Sequence, residues 1–210
     1  MRNPLIEIYD ILLDFFGPQD WWPGDTPFEV MIGAILTQNT NWGNVQKAVR
    51  NLMHAGALTP HAIYKMENER LSELIRPAGY YNIKAKRLKS FVEFFMEKYS
   101  GRTDKIRETD MTSLREYLLG VNGIGPETAD SILLYALEKP VFVIDTYTKR
   151  ILSRHGIMDS SESYDSFQEL FHESLPAKVP LFNEYHALLV KTGKEFCRPK
   201  PHCHGCPLKR

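Results

Sequence analysis

The amino-acid sequence predicts an all-α fold of two helical lobes, and three features support this class. Apolar residues recur at intervals of three and four positions through most of the chain, which is the spacing of a buried helix face. Glycine and proline fall between these periodic segments, where helices end or begin. The one β-like run, residues 141–144, could equally be an extended connection.

The first half of the chain is expected to form six helices. Residues 28–37 are apolar on nearly all sides, so their helix should be buried. The polar break at residues 38–41 separates it from a helix that carries Val45 to Leu52 and closes at Gly56. The first helix carries the apolar stripe Leu5, Ile8, Leu12, Phe15 and Phe16 and ends at Gly17-Pro18; the remaining helices are expected around residues 60–66, 68–76 and 82–99.

The second half of the chain begins with an expected linker from Gly101 to Asp110. Thr112 or Ser113 can cap the next helix, which ends at Gly120. Pro126 suits the first turn of the following helix, where a missing N–H is harmless. Further helices are expected around residues 145–155, 163–174 and 180–194. One lobe should hold residues 20–135, and the other should combine residues 1–19 with 136–210.

Charge and hydropathy narrow the possible functions. The 26 basic residues balance 26 acidic ones, which argues against a protein that coats nucleic acid by bulk charge. A local basic face at residues 82–89 could still contact DNA, although such a stretch is often an ordinary solvated helix surface. No run of about 18 apolar residues and no signal-peptide layout is present, so we expect a cytoplasmic, nucleoid-associated protein without a membrane span.

A glycine-rich turn between two helices is the most informative segment. Gly123 and Gly125 flank one apolar residue, Ile124, which can plug into the groove between the helices. The backbone N–H groups at the start of the second helix would then form an anion site suited to a DNA phosphate. The alternative is a plain helix–helix corner.

Asp145 follows four apolar residues and stands at the start of a predicted helix. Burial raises the pKa of a carboxyl group, whereas helix N-terminal N–H groups lower it. A catalytic carboxylate is therefore conceivable at this position. Taken alone, the pattern favours a simple N-cap.

Taken together, these two segments resemble the helix-hairpin-helix glycosylase superfamily that includes endonuclease III. The pattern Leu-x-Gly-x-x-Gly-Ile-Gly-x-x-Thr-Ala precedes, by about twenty residues, the apolar run that ends in Asp145, and the resemblance runs from about Trp21 to the C-terminus. It implies an enzyme that flips a damaged base out of double-stranded DNA. It also implies that Asp145 is the essential carboxylate and that Gly123, Ile124, Gly125 and Thr128 bind phosphate.

Glu127 departs from the pattern of superfamily members that also cut the DNA strand. Those members carry a lysine at this position, which forms a Schiff base with the sugar. Because a carboxylate cannot be that amine, we predict a monofunctional glycosylase that uses water and leaves an abasic site.

Tryptophans and a polar break suggest a branch of the superfamily. Trp21-Trp22-Pro23, Gln38-Asn39-Thr40 and Glu127 together resemble the 3-methyladenine glycosylases. Aromatic faces attract cations, and an N-alkylated purine is cationic, so the expected pocket for the base comprises Trp21, Trp22, Trp42, Gln38 and Asn39. The tryptophans could instead be core residues, and Gln38 or Asn39 could cap the next helix.

Three cysteines near the C-terminus look like a ligand set rather than a disulfide framework. Cys197, Cys203 and Cys206 resemble three of the four ligands that hold a [4Fe-4S] cluster in endonuclease III relatives. In that family the fourth cysteine would lie just beyond Arg210. Zinc bound with His202 or His204, or no metal at all, are the alternatives.

Several functions remain open at this point. The leading one is a monomeric, monofunctional glycosylase for an alkylated purine. A glycosylase for mismatched uracil or thymine, or for oxidised pyrimidines, is the second. A strand-cutting enzyme that uses another lysine and a non-catalytic DNA-binding module are the others. In each enzymatic case, Asp145 is expected in a cleft between the lobes.

Overall fold

The computed structural model of the protein describes residues 3–22 and 24–209. No β-strand occurs in this part of the chain, and the predicted all-α class is confirmed. A 3₁₀ turn at Arg76–Ala78 follows α5, and a π-helical turn at Ile132–Ala136 follows α9. The helices are α1 Pro4–Phe16, α2 Pro27–Leu36, α3 Trp42–His54, α4 Pro60–Lys65, α5 Asn68–Leu74, α6 Tyr81–Tyr99, α7 Thr103–Glu108, α8 Met111–Leu119, α9 Pro126–Ser131, α10 Thr146–Arg154, α11 Tyr164–Ser174 and α12 Val179–Glu195.

Polar side chains define where many of these helices begin. The first N–H groups of a helix lack intrahelical partners, and a side-chain oxygen just before the helix can accept from one of them. This cap bond is made by Asn3, Thr26, Asn41, Thr59, Asp110, Asp145 and Ser163. The helix starts are therefore largely a local property of the sequence.

Two expectations about residues 101–113 are wrong. Residues 103–108 form the short helix α7 rather than a linker, because the fully buried Ile106 anchors this polar segment to the core. The cap of α8 is Asp110 and neither Thr112 nor Ser113. Its carboxylate accepts the Ser113 N–H at 3.0 Å, so the helix begins earlier than predicted.

The β-like run at residues 141–144 is an extended, buried connection. The Phe142 N–H donates to Nε2 of His172 at 2.9 Å, and the Ile144 N–H donates to the hydroxyl of Tyr164 at 3.2 Å. Side chains thus satisfy backbone groups that a neighbouring strand would otherwise pair. The segment ends next to Asp145, which begins α10 as its N-cap.

The described chain divides into two compact units. One unit comprises residues 3–22 and 140–209, and in it α12 packs against α1 and α10. The hydroxyl of Tyr185 on α12 donates to the Leu5 carbonyl at 2.8 Å and tethers α1. Aromatic rings fill the core of this unit, among them Phe142, Phe171, Phe182 and Tyr185.

The other unit comprises residues 24–139 and is built around α2. Eight of the ten residues of α2 are buried, as its apolar composition predicts. This helix packs against α3, α6, α9 and the π-helical turn. No helix in the described part of either unit is both long and apolar enough to cross a membrane.

An ion pair joins α8 to α9 across the glycine-rich turn. Arg115 donates to both carboxylate oxygens of Asp130, at 2.7 and 3.1 Å. The Asp130 side chain is fully buried, whereas that of Arg115 retains 24% exposure. The two-point contact fixes the orientation of one helix relative to the other.

Removing the buried partner of this pair should destabilise the protein. We expect Asp130→Ala to lower the free energy of unfolding by about 2–4 kcal/mol, because a partly buried guanidinium loses its counter-charge. Urea denaturation measures the change. The control is Glu73→Ala, which breaks the exposed pair with Arg70 and should cost under about 0.5 kcal/mol. Equal losses in the two variants would contradict this account of the hairpin.

Candidate functional site

Asp145 is both the N-cap of α10 and a buried carboxylate with a second partner. Its Oδ1 accepts the Thr148 N–H at 2.7 Å. Its Oδ2 lies 3.6 Å from Nε2 of His186 on α12. The residue is 9% exposed. The capping role and a catalytic role are therefore compatible, since capping occupies one oxygen.

Opposing effects set the ionisation of this carboxyl group. Burial acts to raise the pKa of Asp145, but the contact and charge of His186 and the hydrogen bond from Thr148 outweigh it and hold that pKa below its usual range. The group is consequently an anion at neutral pH. A buried anion of this kind can stabilise positive charge that develops next to it.

The packing of α10 against α12 depends on Gly193. A Cβ built on this glycine would overlap the ring of Tyr147, which sits two residues after Asp145. The missing side chain lets the first turn of α10 lie directly on α12. This close approach is what brings His186 within reach of the carboxylate.

The two hairpin glycines have different roles in the other unit. Gly123 has a φ of +85°, and a Cβ there would overlap the side chain of Arg87. Gly125 has an ordinary φ of −95° with nothing within 4 Å of an added Cβ. Only Gly123 of these two residues therefore uses a backbone angle that favours glycine. Ile124 is buried, and its N–H donates to Val121 at 3.0 Å within the turn.

Gln38 ties the loop after α2 to the hairpin. Its Nε2 donates to the Gly123 carbonyl at 3.0 Å and to Oγ1 of the buried Thr128 at 2.9 Å. Its Oε1 accepts from the guanidinium of Arg87. In this conformation the amide of Gln38 holds the loop against the hairpin. The next residue, Asn39, has a φ of +53° and an exposed side chain.

At the start of α6, the exposure of two residues differs from what the sequence pattern indicated. Lys84 belongs to the predicted basic face but is 1% exposed, and its Nζ donates to the carbonyls of Leu36 and Ala78, both at 2.8 Å. Burial, and then the charge of Arg87, lower the pKa of Lys84 to about 8. Tyr80, just before α6, is 68% exposed with a φ of +45°. Apart from glycine before Tyr80, no sequence signal distinguished it.

The predicted aromatic residues fall into two groups. Trp21 and Trp22 lie edge to face with ring centroids 5.8 Å apart, and Nζ of Lys194 is 5.5 Å from the ring centre of Trp21. Pro23, the next residue of the motif, is outside the described residues. In the other unit, Trp42 lines a cavity of about 300 Å³ together with Asp25, Glu29, Gln46 and Arg50.

The three C-terminal cysteines line one cavity of about 570 Å³. Arg154 lies 3.3 Å from Sγ of Cys197 and also binds the carbonyls of the next two residues, and Arg150 binds the Cys197 carbonyl at 2.6 Å. Burial raises the pKa of Cys206, and the neighbouring sulfurs add to this. Within the described residues, no three histidine, cysteine or acidic side chains already converge as metal ligands. The three sulfurs share one cavity, and the guanidinium of Arg154 lies beside one of them. This positive charge favours thiolates, so the residues fit a group that is bound by three thiolates.

Comparisons with known proteins agree with this architecture. The model of the HhH-GPD superfamily base excision DNA repair proteins matches residues 32–177. A protein of Methanocaldococcus jannaschii assigned as a DNA repair glycosylase is 49% identical over 98% of this chain and 94% of its own length. Endonuclease III of Thermotoga maritima is 32% identical over 87% of this chain and 81% of its own length.

A solved structure is similar over nearly the whole chain. The 3-methyladenine DNA glycosylase of H. pylori, bound to 1,N6-ethenoadenine, has a TM-score of 0.79 and 31% identity, covering 91% of this chain and 97% of its own. The chain therefore belongs to the HhH-GPD superfamily of base excision DNA repair proteins. The predicted enzyme class, a DNA N-glycosylase, is confirmed.

The two hairpin glycines should respond differently to alanine. We expect Gly123→Ala to lower the free energy of unfolding by about 1–3 kcal/mol, because it combines an unfavourable positive φ with overlap on Arg87. The same change should weaken the affinity for duplex DNA, which fluorescence anisotropy measures. Gly125→Ala is the matched control for stability and should leave the free energy of unfolding nearly unchanged. Urea denaturation measures this free energy, and similar losses at the two positions would contradict this assignment.

Proposed function

We propose that this protein is a monomeric, monofunctional glycosylase that removes an N-alkylated purine, with 3-methyladenine foremost, from double-stranded DNA. The observation that carries the proposal is the buried, ionised carboxylate of Asp145, held by Thr148 and facing His186. Few ordinary structural needs call for a buried anion at a helix start.

The proposed reaction is a hydrolysis at the sugar. The bond between C1′ and the base nitrogen breaks, and its electron pair leaves with the base. Positive charge develops on the sugar, and the oxygen of a water molecule adds to C1′. The carboxylate of Asp145 stabilises that charge, orients the water, or does both, and the proton of the water passes to the carboxylate or to solvent.

The absence of strand cutting is proposed from Glu127. This residue is exposed on α9 at the hairpin, and a carboxylate cannot form a Schiff base with the sugar. Lys149, the lysine nearest to Asp145 in sequence, lies with Nζ 2.7 Å from the Glu162 carbonyl and 4.9 Å from the ring centre of Phe167. The product would therefore be an intact strand with an abasic site.

The choice of an alkylated purine is supported by the aromatic residues. The faces of Trp21 and Trp22 can stack on a flipped base, and aromatic faces favour a cationic one. The cavity beside Trp42 carries two carboxylates, Asp25 and Glu29, against one cation, Arg50, and this excess of negative charge also favours a cationic base. The similar H. pylori enzyme is named for 3-methyladenine. A cationic base also departs readily, so one carboxylate suffices as the catalytic group.

A second candidate is a glycosylase for mismatched uracil or thymine, or for oxidised pyrimidines, with or without cutting of the DNA strand. The 32% identity to a protein named endonuclease III favours it. Release of a pyrimidine distinguishes this candidate. Strand cutting would require an amine other than the residue at position 127, and it is recognised by breaks that form without alkali.

Base release from defined duplexes tests the proposal. The panel contains 3-methyladenine, other alkylated purines, uracil, thymine opposite guanine, and thymine glycol. We expect release of alkylated purine, with strand breaks only after alkali. Asp145→Asn should slow release by about 10²–10⁴-fold, because the amide keeps the Thr148 hydrogen bond but loses the charge.

Asp159→Asn is the matched control for the substitution at Asp145. Asp159 also accepts local hydrogen bonds in the same unit, but it is exposed, and its loss should leave release unchanged. Release of a pyrimidine, or breaks without alkali, would favour the second candidate. Full activity of Asp145→Asn would contradict the proposed role of the carboxylate.

The cysteine cavity is proposed to hold a [4Fe-4S] cluster through Cys197, Cys203 and Cys206. Such a group would act structurally, by fixing the C-terminal segment that Arg150 and Arg154 already tether to α10. Arg198, Lys200 and Lys209 of this segment would then lie ready for a DNA backbone.

Metal analysis tests this assignment. Protein purified without oxygen should contain iron and acid-labile sulfide in equal amounts, about four of each per chain. Cys203→Ser should lose both, whereas His204→Ala should retain them. Zinc in place of iron, lost in His204→Ala, would contradict the cluster and support the mixed cysteine–histidine site.

A further inference from the structure

His186 is a buried residue to which the sequence assigned no role of its own. It lies on α12, is 5% exposed, and points Nε2 at Oδ2 of Asp145 from 3.6 Å. The ring of Phe142 stands perpendicular to the imidazole with centroids 6.4 Å apart. An imidazole is thus enclosed in the core of the unit and directed at the one carboxylate there that the proposed reaction uses.

The two oxygens of Asp145 have partners of different kinds. The backbone N–H of Thr148 holds Oδ1 from the same helix, so that bond does not depend on the Thr148 side chain. The imidazole approaches Oδ2 from α12, a separate helix. The hydrogen bond from Thr148 fixes the position of Oδ1. An imidazole that closes the 3.6 Å gap to Oδ2 would also restrain rotation of the carboxylate plane. Such orientation matters because catalysis depends on displacements of less than about 1 Å.

We propose that His186 is a positioning residue that orients the Asp145 carboxylate toward the sugar. This inference rests on the proposed function, in which Asp145 is the essential carboxylate. His186 does not touch the substrate in this account. It acts through the carboxylate by restraining Oδ2 and by placing a polar N–H beside a buried anion.

His186 is also the titratable side chain that α12 directs at Asp145. The lysines and arginines of α10 and α12 have other contacts in the described structure: Lys149 with Glu162 and Phe167, Arg150 with Tyr147 and Cys197, Arg154 with Cys197 and the next two residues, Lys191 with Phe16, and Lys194 with Trp21. Thr148 supplies the remaining contact from its own helix. Loss of the imidazole would leave burial to raise the pKa of Asp145 with only the Thr148 bond opposing it.

Two amide substitutions separate orientation from charge. Glutamine at position 186 can place an N–H near the former Nε2, whereas asparagine is one carbon shorter and falls short of Oδ2. Single-turnover base release and DNA affinity are measured for His186→Gln and His186→Asn across the pH range. At neutral pH we expect His186→Gln to stay within about threefold of wild type and His186→Asn to slow release by about 10–100-fold, with DNA affinity unchanged in both.

The acid limb of the pH profile of base release reports the ionisation of Asp145. Because a group with a lowered pKa loses its ionised form only as the pH falls through that pKa, wild-type activity should persist into the acid range. Both variants lack the imidazole that lowers the pKa of Asp145, so their acid limbs should move to higher pH. A ¹³C NMR titration of the Asp145 carboxyl group measures the same shift without substrate.

The control is His172→Asn, which removes an imidazole of the same unit that accepts the Phe142 N–H. It should lower stability but leave the acid limb in place. Suppose that His186→Asn releases the base at the wild-type rate and keeps the wild-type acid limb, while Asp145→Asn is inactive. That result would overturn this inference and leave the proposed function intact. Full activity of Asp145→Asn would overturn both.

Discussion

A buried carboxylate must be satisfied at both of its oxygens, and this requirement at Asp145 organises the unit that contains it. Moving an unpaired charge out of water costs far more than a folded protein can tolerate. The first turn of α10 satisfies one oxygen, and α12 brings an imidazole to the other. Gly193 allows the two helices to approach closely enough, and two arginines of α10 bind the chain that follows α12. The arrangement of α10, α12 and the cysteine segment thus follows from one buried anion.

The second unit contains a buried cation, Lys84, and the guanidinium of Arg87, in addition to the buried carboxylate of Asp130. Lys84 is satisfied by two carbonyls at the ends of neighbouring segments, and Arg87 reaches the amide that binds the hairpin. Polar networks inside a protein stabilise only when each member has partners. These bonds fix the positions of the loop after α2, the turn before α6 and the hairpin relative to one another. Asn39 and Tyr80 are consequently exposed on backbone that these bonds hold in place.

Membership of the superfamily does not specify which base is removed or whether the strand is cut, so these properties depend on individual side chains. Similarity to endonuclease III and to a 3-methyladenine glycosylase is of comparable strength, at 32% and 31% identity. The discriminating residues are therefore the carboxylate at position 127 and the tryptophans. A carboxylate in place of an amine excludes Schiff-base chemistry at that position, and aromatic rings suit a cationic base. Both arguments favour hydrolysis of an alkylated purine, whose charge already weakens the bond to be broken.

The sequence by itself determined what depends on neighbours along the chain. Helix periodicity, the cap at Asp145, the hairpin pattern, Glu127 and the apolar run before Asp145 are all local features, and local propensities express themselves within a few residues. Only the tertiary structure decided that Gly123 and not Gly125 needs its missing side chain, that Lys84 is buried, and that Gln38 binds a hairpin 85 residues away. The pairing of Asp145 with His186 was equally hidden. Contacts between distant residues depend on how helices pack, and no spacing within a single helix specifies which side chain of another helix will face it.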